Sequence, residues 1–396
     1  MVELEFEKIK GESKEFFATA FGLLILVLWG LYGFLYTYTK GPWVTGMTNQ
    51  IPWGLPQVTI VYLIGASAGS LIISALGGVF DKEEYKVFSR LAAYLAALMI
   101  IGALLVIFVD LGKPEHAFNL FFHFNFRSIF AWNAFLYSSY LLIIVVYLIA
   151  QFERKETLVK VLAFLAVAWA VLVHSGTGGI VGFIYSMELW HSPLTPPLFI
   201  ISAIASGIGI MIPLLVITFK YTNRELDINL VKGLAKIMGA MIITLLYCFT
   251  VEHLTRGYVP GNSEALHMTL FEAPFGTVFW FIQIFVGMII PLALLIYPKT
   301  FNSVKWICVA SILLAIGVFA ERYTLIVPGL SYSKEILPGM VVESVPPFVK
   351  GASYVPGWTE VAMVAGVFAL IFLLFMVGLK VFDLLPKIEE VEEVAE

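Results

Sequence analysis

Six ionisable residues interrupt or close long apolar stretches of this 396-residue chain: Asp110, His174, Glu252, His253, Glu321 and Arg322. Hydrocarbon penalises such groups by about 2.5–3.5 kcal/mol each at mid-bilayer, so their retention points to pairing, to a wet cavity or to function. Carboxyl and imidazole groups at one depth are the residue types that hand protons to and from a bound molecule near neutral pH. His174 opens the segment His174-Ser-Gly-Thr-Gly-Gly179, a polar, glycine-rich patch within an apolar run. There an imidazole can donate to, or accept from, a small ligand. Plainer alternatives stand beside each residue. His174 could be a core histidine satisfied by its own helix. Asp110, Glu252 and His253 could be wet at the membrane interface, and Glu321–Arg322 a structural pair.

A second constellation is Thr48-Asn49-Gln50-Ile-Pro52-Trp53-Gly54-Leu-Pro56. Two carboxamides and an indole on kinked backbone suit a flat amphipathic molecule with two carbonyl oxygens, which is a description of a quinone head group. An interfacial tryptophan beside proline-started helices is the alternative.

The elements that must position these residues are membrane spans. The chain is 60% hydrophobic and 13% charged, with a mean hydropathy of +0.92. No soluble fold of this length hides that much apolar surface. A hydrocarbon core of ~30 Å takes about 20 helical residues to cross. Ten stretches qualify, at 16–39, 57–80, 89–110, 129–151, 159–184, 198–220, 230–253, 274–297, 304–327 and 358–382. The fold class is therefore an all-α integral membrane protein, residues 1–396 forming a single transmembrane domain. Pro56 to Gly69 aligns with Pro196 to Gly209, which suggests two four-helix bundles, spans 2–5 (57–184) and 6–9 (198–327), flanked by spans 1 and 10. Residues 383–396 form an acidic tail, expected to be solvated and disordered over Glu389–Glu396.

Seventeen Lys and Arg residues fall on the side of the termini and seven on the other. The positive-inside rule puts both termini in the cytoplasm of a multi-pass inner-membrane protein. The polar residues of spans 3, 5, 7 and 9 then gather towards the outer face. That face also carries the longer loops, 40–56, 111–128, 185–197, 254–273 and 328–357, as expected of segments that carry function or dock a partner. The N-terminal apolar run is read as a retained first helix, since it is too long for a signal-peptide core.

Several chemistries are disfavoured. Cys248 and Cys308 are too few for an iron–sulfur cluster or a zinc site, and paired histidines on facing helices, as transmembrane haems require, do not occur. No flavin or dinucleotide fingerprint and no phosphate loop lies on a soluble segment. The low, dispersed basic content gives no footprint for nucleic acid. The net charge of -4 comes mainly from the acidic tail.

Val109-Asp110-Leu-Gly-Lys113-Pro114-Glu115-His116-Ala-Phe118 resembles a segment of the NrfD/PsrC family, the membrane subunits of polysulfide reductase-like complexes. Phe126 to Tyr137, with Ala131-Trp132-Asn133, resembles the opening of that family's next helix. His174 to Gly179, and Trp190-His191-Ser192 through Pro196-Pro197 to Ser202, are similar to the ten-span branch found in periplasmic hydrogenase, sulfite-reductase-associated and alternative complex III assemblies. The resemblance covers spans 1–7, and spans 8–10 by hydropathy alone.

It implies a subunit that binds menaquinone or ubiquinone, menaquinone being favoured, near the outer face. It also implies no haem, flavin or iron–sulfur cluster in this chain, and electron exchange with an extracytoplasmic ferredoxin-like iron–sulfur subunit. Further catalytic or cytochrome subunits would complete the assembly. By this resemblance Asn49 and Gln50 fall at quinone-contacting positions, with Trp53, Trp132 and Tyr137 as further contacts. A histidine that the eight-span branch often carries in the first loop is replaced here by Ile51, Pro52 and Trp53, leaving His174 or His116 to serve. The expected site is bounded by Asn49, Trp53, Asp110, His116, Tyr137 and His174, with Asp110 and His174 exchanging protons. Glu252, His253, Glu321, Arg322 and Ser67 are candidates for a proton path, Ser70 and Ser74 extending it. A secondary transporter for a small organic substrate is the competing function, and a scaffold for a peripheral enzyme a third.

Overall fold

A computed structural model describes residues 5–185, 187, 189–259, 263–332 and 353–387. Its ten long helices are α1 (Lys14–Lys40), α2 (Leu55–Val79), α3 (Lys86–Asp110), α4 (Ile129–Phe152), α5 (Glu156–Gly182), α6 (Thr195–Tyr221), α7 (Ile228–Tyr258), α8 (Phe275–Ile296), α9 (Val304–Ser331) and α10 (Trp358–Val381). All ten are long and apolar enough to cross a membrane, and each coincides with an expected span. The local signals are ordinary ones. Ser13, Ser128 and Asp227 accept amide hydrogen bonds at the starts of α1, α4 and α7, and prolines stand in the first turns of α2 and α6. The main departure is at α7, which continues to Tyr258. Glu252 and His253 are therefore inside the helix, where its last turns still bond to each other. The loop expected over 254–273 also contains a helix, Ser263–Phe271.

Helices α2, α3, α4 and α5 close one ring of packed neighbours, and α6, α7, α8 and α9 close another. The two four-helix bundles meet where α2 and α5 lie on α6, and where α2 touches α9. The remaining pair, α1 and α10, packs on the flank of the first bundle through contacts of α10 with α3 and α2. Helix α2 is almost wholly buried, whereas α1 buries little beyond its α10 stripe. Between α1, α10, α6 and α9 runs an apolar groove of about 1270 Å³ that reaches inward to Tyr62.

Close approach at these seams comes from missing side chains, because hydrocarbon provides no hydrophobic drive between helices. A Cβ on Gly207 of α6 would overlap the backbone of Gly69 on α2, and Gly30 of α1 meets Gly366 of α10 in the same way. The serines of α2 serve the same packing. Ser67 donates to the Ala96 carbonyl and Ser74 to that of Ser89, both at 2.7 Å, tying α2 to α3.

At the face bearing the termini, β1 (Phe6–Glu7) pairs antiparallel with β2 (Leu385–Pro386). The sequence gives no sign of this ladder, and it corrects the expectation that residues 385–386 belong to a tail. Two arginines hold it. Arg224 pairs with Glu7 at 2.6 Å and donates to the Pro386 carbonyl, while Arg90 bonds the carbonyls of Asp383 and Gln151. The acidic run Glu389–Glu396 and most of the expected 328–357 loop lie outside the described residues.

Valine at Gly207 overpacks the α2–α6 seam and is expected to cost about 1–3 kcal/mol or more. Alanine at Gly22, which has nothing within 4 Å of its added Cβ, is expected to be neutral. Thermal melting of the detergent-solubilised protein checks both.

Candidate functional site

The polar residues fall into two groups, both at the end of the helices that bears the longer loops. The first occupies the second bundle. Glu252 accepts from the Ser192 hydroxyl at 2.7 Å and pairs with Arg256, one turn on, at 2.5 Å. Arg256 also donates to the Leu189 carbonyl, so the pair fastens α7 to the segment between α5 and α6. His253 donates from Nδ1 to the Phe249 carbonyl at 2.7 Å and lies 4.9 Å from the Phe279 ring. On α9, Glu321 and Arg322 are buried and paired at 3.0 Å. Arg322 also donates to the Ser202 hydroxyl of α6 and sits 4.0 Å over the Phe199 ring. Glu321 Oε2 and Arg322 Nε have no hydrogen-bond partner among the described residues.

Helix α8 brings in Gln283 through an unusual stretch. Residues Val278–Ile289 are wound as a π-helix, a geometry often found at functional positions. Gln283 points inward from it and accepts from Thr324 at 2.5 Å. Glu252, His253, Arg256, Gln283, Glu321 and Thr324 line a cavity of about 60 Å³. A space of this size with several polar partners accommodates water.

His174 belongs to the seam between the bundles. The Ala170 carbonyl, 2.8 Å from Nδ1, can only accept, so Nδ1 carries the proton. Nε2 is buried and has no hydrogen-bond partner among the described residues. Arg322 is near enough to act on the ring electrostatically.

The second group surrounds the segment between α1 and α2. Glu360, in the first turn of α10, is fully buried. Its Oε2 accepts from the amides of Gly46 and Gly357 at 2.6 and 2.8 Å, and its Oε1 from the Tyr354 hydroxyl at 2.5 Å. The same hydroxyl accepts from the Leu55 amide at 2.6 Å. Burial, and then the hydrogen bond and negative charge of Glu360, hold the Tyr354 phenol well above its ordinary range, so it remains a donor. Asp110, closing α3, is close enough to Glu360 for electrostatic interaction, and its buried Oδ1 has no hydrogen-bond partner among the described residues. Gln50 is buried and donates to the Ser331 carbonyl at 3.2 Å. Trp53 is half-buried and stacks on Trp190, centroids 5.3 Å apart and planes 14° from parallel, with Phe130 edge-on.

Of the other sequence-derived candidates, Asn49 and His116 are exposed, His116 facing Asn119 in a short turn over Pro114–His116. Trp132 is exposed and donates to the Phe126 carbonyl. Tyr137 is buried against α5, its hydroxyl 2.8 Å from that of Thr177. Of the residues expected to handle protons, Glu252, His253 and Glu321 line the 60 Å³ cavity, whereas Asp110, His174, Arg322, Ser67 and the expected quinone contacts do not. Ser192, Ser202, Arg256, Gln283, Thr324, Tyr354 and Glu360 join these groups without having stood out in the sequence. Two of them left a signal there: Arg256 lies four residues after Glu252, and Gln283 is a single amide in an apolar span.

Residues 43–332 match the family described as Polysulphide reductase, NrfD. The chain belongs to the NrfD family. It is 46% identical to the Hdr-like menaquinol oxidoreductase integral membrane subunit of Archaeoglobus fulgidus, over 99% of each chain. A menaquinone reductase integral membrane subunit from Nitratidesulfovibrio vulgaris is 26% identical over 84% of this chain and 83% of its own. The NrfD protein of Escherichia coli is 24% identical over 71% of this chain and 96% of its own. This NrfD-family chain is accordingly a multi-pass membrane protein, and its relatives include membrane subunits of oxidoreductases. The family match ends at residue 332, before α10.

Replacing Arg256 by methionine leaves the Glu252 carboxyl buried without its cation and is expected to cost about 3–5 kcal/mol. Replacing Glu252 by leucine in the same variant is expected to recover most of that loss. Melting temperatures of the single and double variants check the pair.

Proposed function

We propose that this protein is the quinone-reactive membrane subunit of a multi-subunit redox complex. It exchanges electrons between the membrane quinone pool, menaquinone in preference to ubiquinone, and an extracytoplasmic iron–sulfur subunit seated on the longer loops. The observation that carries the reading is that three proton-bearing residues of the polar clusters, Asp110 through Oδ1, His174 through Nε2 and Glu321 through Oε2, bury an atom with no hydrogen-bond partner among the described residues; Ser70, Tyr140 and Gln151 do so elsewhere in the helices. Such atoms are costly in a low-dielectric interior and call for a ligand or water. Similarity over the whole chain to a menaquinol oxidoreductase subunit supports a quinone as that ligand.

When bound, the quinone supplies two-electron chemistry coupled to two protons. In this protein His174 Nε2 offers a lone pair that can accept a hydrogen bond from a bound hydroquinone, and Asp110 Oδ1 is placed to accept or return a proton, so polar groups are available at two places. Trp53 on Trp190 offers a flat apolar surface beside the carboxamides of Asn49 and Gln50. Tyr137 orients α4 on α5 through Thr177. The exposed rings of Phe118, Phe122 and Phe126 on the 111–128 segment give a partner subunit apolar anchors. Both termini lie in the cytoplasm of the inner membrane in this reading.

Isolation of the protein in mild detergent is expected to retain a cysteine-rich subunit whose clusters are reduced by an added short-chain menaquinol. Uptake of small organic solutes by the protein alone in liposomes, with no such partner, overturns the reading. In the assembled complex His174→Ala and Asp110→Asn are each expected to lower quinol-linked turnover by about 100-fold, the range of one acid–base group. Wild-type turnover and inhibitor sensitivity in both variants would remove these residues from the site.

A further inference from the structure

Glu360 is the most completely satisfied carboxylate among the described buried acids, with three short hydrogen bonds that reach beyond its own helix. Two end on the segment between α1 and α2: Gly46 directly, and Leu55 through the Tyr354 hydroxyl. The third, from Gly357, fixes the start of α10. Residues 46 and 55 bracket Asn49, Gln50 and Trp53. There is no room for slack at either bracket. A Cβ on Gly46 would run into the Val355 carbonyl, and one on Gly54 into the Tyr354 hydroxyl and Glu360.

The segment is otherwise weakly tied. Its other ties include the Gln50 amide to Ser331, the Trp53 stack, local turns at Thr45 and Thr48–Ile51, and the buried Ile51 side chain, and of these only Gln50, Trp53 and Ile51 reach beyond the segment. Helix α10 itself is anchored where α1 and α3 pack on it, through Gly30 against Gly366 and Gly102 against Ile371. It therefore presents its first turn as a fixed point. Tyr354, Gly357 and Glu360 all lie beyond residue 332, outside the stretch that matches the NrfD family.

We infer that Glu360, with Tyr354, is a positioning residue that clamps the α1–α2 segment in the conformation the quinone site requires. This inference rests on the quinone reading above. Glu360 touches neither the ligand nor the reacting atoms. Its carboxylate acts through Gly46 and Leu55, setting where Asn49, Gln50 and Trp53 stand. A carboxamide has one acceptor oxygen: turned to the Gly46 and Gly357 amides it gives up the bond from Tyr354, and turned to Tyr354 it sets its NH2 against those two amides, so Glu360→Gln weakens the clamp on one side or the other without emptying its volume. Tyr354→Phe removes the link to Leu55 and leaves both amide bonds of Glu360 intact.

The test uses the assembled complex in detergent and two readouts. Hydrogen exchange over residues 45–57 reports the clamp without any quinone. Steady-state kinetics with a short-chain menaquinol reports the site. In Glu360→Gln, exchange at Gly46 or Leu55 is expected to quicken about tenfold, as for one lost hydrogen bond to a charged acceptor. The quinol KM is expected to rise by a similar factor, with kcat within about twofold of wild type. Tyr354→Phe is expected to quicken Leu55 alone and to raise KM less. Unchanged exchange in Glu360→Gln overturns the clamp. Faster exchange with a wild-type KM, or an equal loss of kcat, overturns the positioning role. A wild-type complex that shows no dependence on quinol sinks the quinone reading instead, and the exchange rates then judge the clamp alone.

Discussion

A bilayer interior offers no water, so each polar group in a span must find a protein partner, a cavity or a ligand. The positions of charge in this protein follow from that constraint. Arg256 answers Glu252, and Ser192 takes up its second oxygen. Arg322 divides its donors between Glu321 and Ser202 and lays its plane on Phe199, so that α6 replaces hydration with both a hydrogen-bond acceptor and a π-face. Asp110, His174 and Glu321 are among the buried residues that retain an atom with no hydrogen-bond partner among the described residues. Where most groups are satisfied, those left over carry information about what else enters.

The same constraint explains the seams. Two bundles cannot be pressed together by expulsion of water, so they rely on close backbone contact, and glycines face each other across α2–α6 and α1–α10. Contact this close fixes the relative position of elements far apart in sequence. Ser202 of α6 can receive Arg322 of α9, and His174 of α5 comes under the influence of the same guanidinium.

The spans were legible because twenty-residue apolar runs admit one solution in lipid, and all ten appear where expected. The concentration of polar groups towards one end was legible too, since it needs only the direction of each helix. Which of them face one another was not. Periodicity says that Glu252 lies on a helix but not that Ser192, sixty residues earlier, returns to meet it. Glu360 does not stand out because its setting, Gly357-Trp358-Thr359-Glu360, reads as an ordinary helix start. Its importance comes from Gly46 and Tyr354, placed against it by packing that no local pattern encodes. Gln283 was visible as a lone amide in an apolar span, but the face it occupies was not, because the π-helical winding changes which residues share a face.

The two polar groups have different mechanical settings. The second-bundle cavity is built from helices that close a complete ring, with its members held by pairs inside that ring. The group around Asp110 borrows its support from α10, which belongs to neither ring. The first is a rigid place for water and proton-bearing groups. The second holds a loop whose geometry depends on one carboxylate and can be altered without unpacking either bundle. Trp53, stacked on Trp190 while Trp190 donates to the Leu325 carbonyl of α9, is the mechanical link between them. The α1–α2 segment is thus in contact, through two tryptophans, with the helix that carries Glu321 and Arg322 one turn before Leu325.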